Sequence, residues 1–153
     1  MIGKLTTTLL SLFLLLFCLG FTIKKNPTAS AYNGTLTVEL SNIDTPSGRV
    51  RVGIYDKNNF LTPNYLTARS VAVNSYNKVS VTFVNLPFGE YSIAVYHDIN
   101  DNRSLDKNGI GIPSEPYAFS NNIKVRFRAP TYNETKFNFY NNEKLDLTLQ
   151  RWW

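Results

Sequence analysis

Apolar and polar residues alternate with a period of two through most of the chain beyond residue 32. Leu36, Val38 and Leu40 fall on one face and Thr35, Thr37 and Glu39 on the other, the pattern of a half-buried strand. After the Pro46-Ser47-Gly48 turn, Val50, Val52 and Ile54 repeat it. A loose segment containing Thr62-Pro63-Asn64 precedes a short strand marked by Val71 and Val73, and Val79, Val81 and Phe83 predict another. Leu86-Pro87-Phe88-Gly89 turns the chain into Tyr91, Ile93 and Val95, and residues 124–127, 136–139 and 145–149 complete the strand expectations. The pattern predicts six to eight strands and no convincing helix. Two facing sheets can bury such one-sided strands against each other, which a single sheet cannot do. The expected fold is therefore an all-β sandwich of the transthyretin-like or immunoglobulin-like kind, with a small β-barrel as the alternative. There is no internal repeat or linker, so one domain is expected. Its longest irregular run, residues 98–121, exceeds an ordinary connection and calls for local bracing.

The first 31 residues read differently. Lys4 gives a basic start, Leu9 to Phe21 form a 13-residue apolar core, and Ala29-Ser30-Ala31 is a small-residue cleavage site. Residues 1–31 are expected to be a signal peptide and residues 32–153 the exported domain. An uncleaved anchor is the alternative, but the core is shorter than the roughly 20 residues a spanning helix needs and carries Ser11 and Gly20. Lipidation at Cys18 is a third reading, weakened because Leu16-Phe17 offers no small residue before it.

Removing the signal changes the charge picture. The full chain carries +5, but without Lys4, Lys24 and Lys25 thirteen basic residues face eleven acidic ones, a balance of +2. Arg126, Arg128 and Lys136 are too few for the basic, aromatic-interleaved stripe that nucleic acid requires. Cys18 is the only cysteine, so the exported domain must be stable without a disulfide.

The chemistry concentrates at His97-Asp98-Ile99-Asn100-Asp101-Asn102-Arg103-Ser104-Leu105-Asp106. Asp98, Asn100, Asn102, Ser104 and Asp106 place oxygen-bearing side chains at alternate positions, the spacing of a loop wrapped around a hard cation. Calcium takes six to eight oxygen ligands from carboxylates, amides, carbonyls and water, whereas magnesium demands tighter octahedral geometry. Counted from Asp98, the expected ligands are Asp98, Asn100, Asn102, Asp106 and the Ser104 carbonyl. An EF-hand would have glycine at position six and a bidentate glutamate at twelve. This chain has Arg103 and Gly109 there, and Glu115 is the candidate replacement for the missing glutamate. The competing arrangement is a metal-free turn in which Asp and Asn side chains accept from nearby amides.

The run Leu86-Pro87-Phe88-Gly89-Glu90-Tyr91-Ser92-Ile93-Ala94-Val95-Tyr96-His97-Asp98 continues into Asn100, Asn102 and Asp106. Gly109-Ile110-Gly111-Ile112-Pro113-Ser114-Glu115-Pro116-Tyr117-Ala118-Phe119-Ser120-Asn121-Asn122 follows. Together these segments resemble the bacterial DUF2141 family of exported, functionally uncharacterised proteins, from about Gly34 to Leu149. The resemblance implies a β-sandwich-like domain outside the cytoplasm. It carries over His97, Asp98, Asn100, Asn102, Asp106, Gly109, Gly111, Pro113, Glu115, Phe119 and Ser120 as signature positions. Arg103 departs from it, standing where the family prefers a smaller residue, often glycine. The Pro-Phe-Gly-Glu-Tyr turn also looks like those of transthyretin-like and carboxypeptidase-regulatory domains. None of these likenesses supplies a substrate.

Two function classes follow. A structural or ligand-binding module would use a calcium-stabilised loop to hold Tyr96, Tyr117, Phe119 or Asn121 toward a glycan or a cell-envelope protein. The metal-free version is a protein-interaction domain. An envelope enzyme would begin with His97, the only histidine, acting with Asp98, Asp106 or Glu115 as proton-transfer partner. No cysteine nucleophile remains after the signal and no serine elbow is present, so the binding module is the expected class. Trp152 and Trp153 are expected to close a sandwich edge or meet a partner rather than enter a membrane, since no amphipathic helix accompanies them.

Overall fold

The computed structural model describes residues 32–124 and 127–152, so the expected signal peptide lies outside the described residues. The alternating segments form β1 (Asn33–Ile43), β2 (Arg49–Tyr55), β3 (Thr67–Ala72), β4 (Asn77–Pro87) and β5 (Gly89–Asp98). Three shorter strands follow: β6 (Tyr117–Phe119), β7 (Phe137–Phe139) and β8 (Glu143–Thr148). One sheet has the order β4-β1-β8. The other has the order β3-β2-β5-β6, with β7 also pairing β5. These are the two layers of a sandwich, and no closed barrel forms.

The core lies between the layers because the alternation places one face of each strand there. Leu36, Val38 and Leu40 of β1 meet Val50, Val52 and Ile54 of β2, Ile93 and Val95 of β5, and Val81 and Phe83 of β4. All of these are buried. Burying a Val, Leu or Ile side chain contributes about 1.5–3 kcal/mol, so this shared interior dominates the stability. The first and last strands pair in parallel, Leu36 beside Glu143 through Ser41 beside Thr148, and this register carries the C-terminal segment back to the start of the domain.

Several short elements escape the period-two reading. β6 has only three residues and follows Pro116, so it shows no alternation to detect. A one-turn helix, α1 (Tyr132–Thr135), starts where the Thr131 N–H and hydroxyl both donate to the Glu134 carboxylate. Residues 124 and 127 of the expected 124–127 strand lie in no strand, and 125 and 126 lie outside the described residues.

The β1–β2 turn is built against the end of β5. Gly48 has φ +67°, and a Cβ there would lie 2.1 Å from the Asp98 carbonyl oxygen, so only glycine fits. From the same turn, the Ser47 carbonyl lies 2.8 Å from His97 Nε2. This contact fixes where the chain leaves the sheet and enters the long loop.

Candidate functional site

The loop after β5 is tied down residue by residue. Asp98 is fully buried, and its Oδ2 accepts from Arg51 Nε at 2.5 Å and from the Arg103 N–H at 2.8 Å. Its Oδ1 accepts from the Asn102 N–H at 3.0 Å. Burial opposes ionisation of Asp98, but the Arg51 guanidinium and the two backbone donors outweigh it and hold the carboxyl below its ordinary range. Arg51 also reaches Asp101 at 2.6 Å. The wrap needs left-handed backbone at Asp101 and Arg103, with φ of 56° and 70°. Arg103 occupies a conformation that a smaller residue adopts more readily.

The remaining oxygen-bearing residues of the loop face one another. Asp106 accepts from Asn100 Nδ2 at 2.8 Å through one oxygen and from Asn102 Nδ2 at 2.9 Å through the other. Ser104 N–H donates to Asn102 Oδ1 at 2.8 Å. Glu115, only 5% exposed, accepts from the Ile99 N–H at 2.8 Å and the Asp106 N–H at 3.1 Å, joining the two ends of the turn. The structure thus brings Asp98, Asn100, Asn102, Ser104, Asp106 and Glu115 into one cluster. Among the described residues no group of three or more His, Cys, Asp or Glu side chains is gathered to hold a metal. The oxygens here come mainly from amides, carbonyls and the two carboxylates of Asp98 and Asp106. Asn100 Oδ1 accepts from the Asn102 N–H and Asn102 Oδ1 from the Ser104 N–H, so turning either amide toward Asp106 would set an NH2 group against a backbone N–H.

His97 sits on the other face of β5 from Asp98, as strand alternation requires. It is fully buried, its Nε2 meets the Ser47 carbonyl, and its Nδ1 has no hydrogen-bond partner among the described residues. It does not line the open groove described next.

That groove lies on the outer face of the larger sheet and has a volume of about 1090 Å³. Cross-strand register explains its floor: Ala68, Gly53 and Ala94 stand side by side on β3, β2 and β5, with Phe119 of β6 beyond them. Ser70, Arg51, Tyr96 and Tyr117 form the next row. With no side chain at Gly53, the Tyr55 ring folds over it, its hydroxyl 2.9 Å from where a Cβ would be. Burial raises the phenols of Tyr55, Tyr96 and Tyr117 above their ordinary value, so all three are neutral hydroxyls at physiological pH.

Two braced segments wall the groove. One is the continuation of the loop, where Asn108 accepts from Ile110 and Ile112 through its side chain and Lys107 bridges Pro113, making a tight hairpin. Ile110 projects from its tip and is 81% exposed. The other wall contains Phe127, Arg128, Ala129 and Pro130 beside Trp152, whose ring packs edge-on against Phe127. Arg128 pairs bidentately with Glu134 and pulls its carboxyl down to about 2, helped by Thr131. Behind this wall, Asn121 Nδ2 donates to the carbonyls of Glu134 and Lys136. Ser120 accepts from the Ile93 N–H and donates to the Thr135 carbonyl.

Of the ligand-surface residues expected from the sequence, Tyr96, Tyr117 and Phe119 line the groove, whereas Asn121 clamps α1. Sequence reasoning missed Arg51, Gly53, Tyr55, Ala68, Ser70 and Ala94. The one local signal among them was a glycine inside a strand, which marks a close approach or bulge. The others look like ordinary solvent-facing positions until the register aligns them.

The model of the family described as "Uncharacterized protein conserved in bacteria (DUF2141)" matches residues 38–147, most of the domain just described. The chain belongs to the DUF2141 family. The matched span covers the loop, both of its anchors Arg51 and Glu115, and every floor strand of the groove. No curated protein and no solved structure matches the chain.

Proposed function

We propose that this DUF2141 protein is an exported binding module whose groove on the outer face of the larger sheet receives a ligand. A single observation carries the reading. A trough of small residues, flanked by Tyr55, Tyr96, Tyr117 and Phe119, is held open between two walls that are each locked by hydrogen bonds. Its volume, about 1090 Å³, lies just above the roughly 300–1,000 Å³ typical of small-ligand clefts. Mostly apolar walls with a few convergent polar groups are the usual composition of such sites.

Calcium is the second part of the proposal. Asp98, Asn100, Asn102 and Asp106, with the Ser104 carbonyl, would hold it in place of the loop's internal hydrogen bonds, and its charge would join that of Arg51 in offsetting the carboxylates of Asp98 and Asp106. The ion would stiffen the loop that continues into the groove wall. The outer compartments of bacteria suit such a weakly bound ion, for which affinities on the order of 0.1–1 mM are typical.

The groove is tested by comparing the protein with an Ala94→Trp variant on an array of neutral and acidic oligosaccharides and of envelope-protein peptides. Ala94 lies at the centre of the floor, so an indole there fills the trough without entering the core. Binding that disappears in the variant supports the site. Binding that survives the indole, or no binding by the wild type, overturns it.

A further inference from the structure

Resting on the groove reading above, we infer that the ligand is an acidic oligosaccharide, recognised by its hydroxyls along the floor and by a carboxylate at the loop wall. Three observations select this chemistry. First, the hydroxyls of Tyr91 and Tyr132 are bonded to backbone carbonyls, whereas those of Tyr55, Tyr96 and Tyr117 have no hydrogen-bond partner among the described residues. Tyr117 is only 7% exposed, so its ring is committed to the protein, yet the residue lines the groove. Three neutral phenols, each both donor and acceptor, match a ligand rich in hydroxyls. The rings of Tyr55 and Tyr96 offer flat apolar surface to the C–H faces of sugars.

Second, the charges along the wall are of one sign. Arg51, Arg103, Lys107 and Arg128 present cationic side chains to the groove and no acidic residue lines it, while Arg69, in register with the inward-facing Val52, points away from this face. Arg51 is neutralised by Asp98 and Asp101, Arg128 by Glu134, and Arg69 lies over the Phe83 ring at 5.8 Å. Arg103 and Lys107 enter no ion pair among the described residues. Both stand on the loop wall, where a guanidinium and an ammonium without acidic partners among the described residues suit a carboxylate.

Third, the floor excludes the other polymer that would carry such charge. β2 is hydrogen-bonded to β3 and β5, and β5 to β2, β6 and β7. The backbone of these two central floor strands is therefore committed, and an acidic peptide laid across them would find few partners for its own N–H and C=O groups. The cationic side chains of Arg51, Arg103, Lys107 and Arg128 around the groove equally disfavour an acyl chain.

The test titrates tetragalacturonate and its methyl ester into the protein by calorimetry at low and moderate salt. The acid is expected to bind at least tenfold more tightly than the ester. Arg103→Gln/Lys107→Gln, two exposed positions, should erase that difference, while Tyr96→Phe/Tyr117→Phe should weaken acid and ester alike. Equal binding of acid and ester overturns the carboxylate assignment and leaves the groove standing. Tetraglutamate or phosphatidylglycerol vesicles binding in place of the sugar overturns the oligosaccharide and also leaves the groove standing. If none of the four probes binds a protein whose fold is verified by circular dichroism, the inference and the groove reading both fall.

Discussion

Replacing Arg51 with methionine removes the guanidinium while keeping most of the length and apolar stem of the side chain. Two contacts are lost, and they differ in kind. Asp101 is 53% exposed, so its pairing with Arg51 is the screened surface type worth about 0–1 kcal/mol. Asp98 has no exposed side-chain surface, so its carboxylate would be stranded. Removing one partner of a buried pair costs about 3–5 kcal/mol. Asp98 retains the N–H donors of Asn102 and Arg103, which places the expected loss near the lower end, about 3 kcal/mol at pH 7. A domain stable by roughly 5–15 kcal/mol remains folded after such a loss, and its urea midpoint falls. The pH dependence identifies the cause. Because the folded-state pKa of Asp98 is held below its ordinary 3.8, the stabilisation is complete above that value and disappears as pH falls through the folded-state value. The difference between wild type and variant should be level between about pH 5 and 7 and close below about pH 4. Arg51→Met/Asp98→Asn, which leaves no stranded charge, should recover at least about 1 kcal/mol over the single variant. A loss below about 0.5 kcal/mol, or one that is unchanged down to pH 2, refutes the reasoning.

Glu115→Gln replaces one of two carboxylate oxygens with a donor that faces a backbone N–H. It should cost about 2 kcal/mol in thermal or chemical unfolding, and an unchanged midpoint would show that the Ile99 and Asp106 amides do not depend on it. Calcium added to metal-stripped protein should raise the melting temperature saturably at concentrations of about 0.1–1 mM, with magnesium far weaker. Asp106→Asn should abolish that rise, and an equal rise in the variant would remove calcium from the loop. Burial, aided by Glu90 and Asp56, pushes the Tyr132 phenol up to about 12, so it should ionise well above the ordinary phenol range in an ultraviolet titration. The folded-state pKa is raised, so its stabilisation is present below pH 10 and is lost as pH rises toward 12. Tyr132→Phe should flatten the alkaline fall in stability over that window.

Most of the sandwich was legible because its core strands carry a period-two signal strong enough to survive without tertiary context. Leu36, Val38 and Leu40 need no partner to show which face they bury. The same rule separates His97 from Asp98: neighbours in a strand point to opposite faces, so one enters the interior and the other meets Arg51. β6 and α1 were not legible, since three and four residues hold less than one full pattern and are fixed by contacts elsewhere. The loop announced its Asp and Asn residues but concealed its anchor, because Arg51 lies 47 positions from Asp98. The groove was the least legible feature. Ala68, Gly53 and Ala94 are unremarkable singly and become a floor only through the register of three strands.

The most direct test of the groove is nuclear magnetic resonance mapping of amide shifts while tetragalacturonate is added to isotopically labelled protein. Shifts should concentrate at Gly53, Ala68, Ala94, Tyr96 and Tyr117, with smaller ones at Arg103 and Lys107. A response centred instead on the opposite sheet, at Thr37, Thr82 and Val84, would contradict the assignment of this face as the binding site.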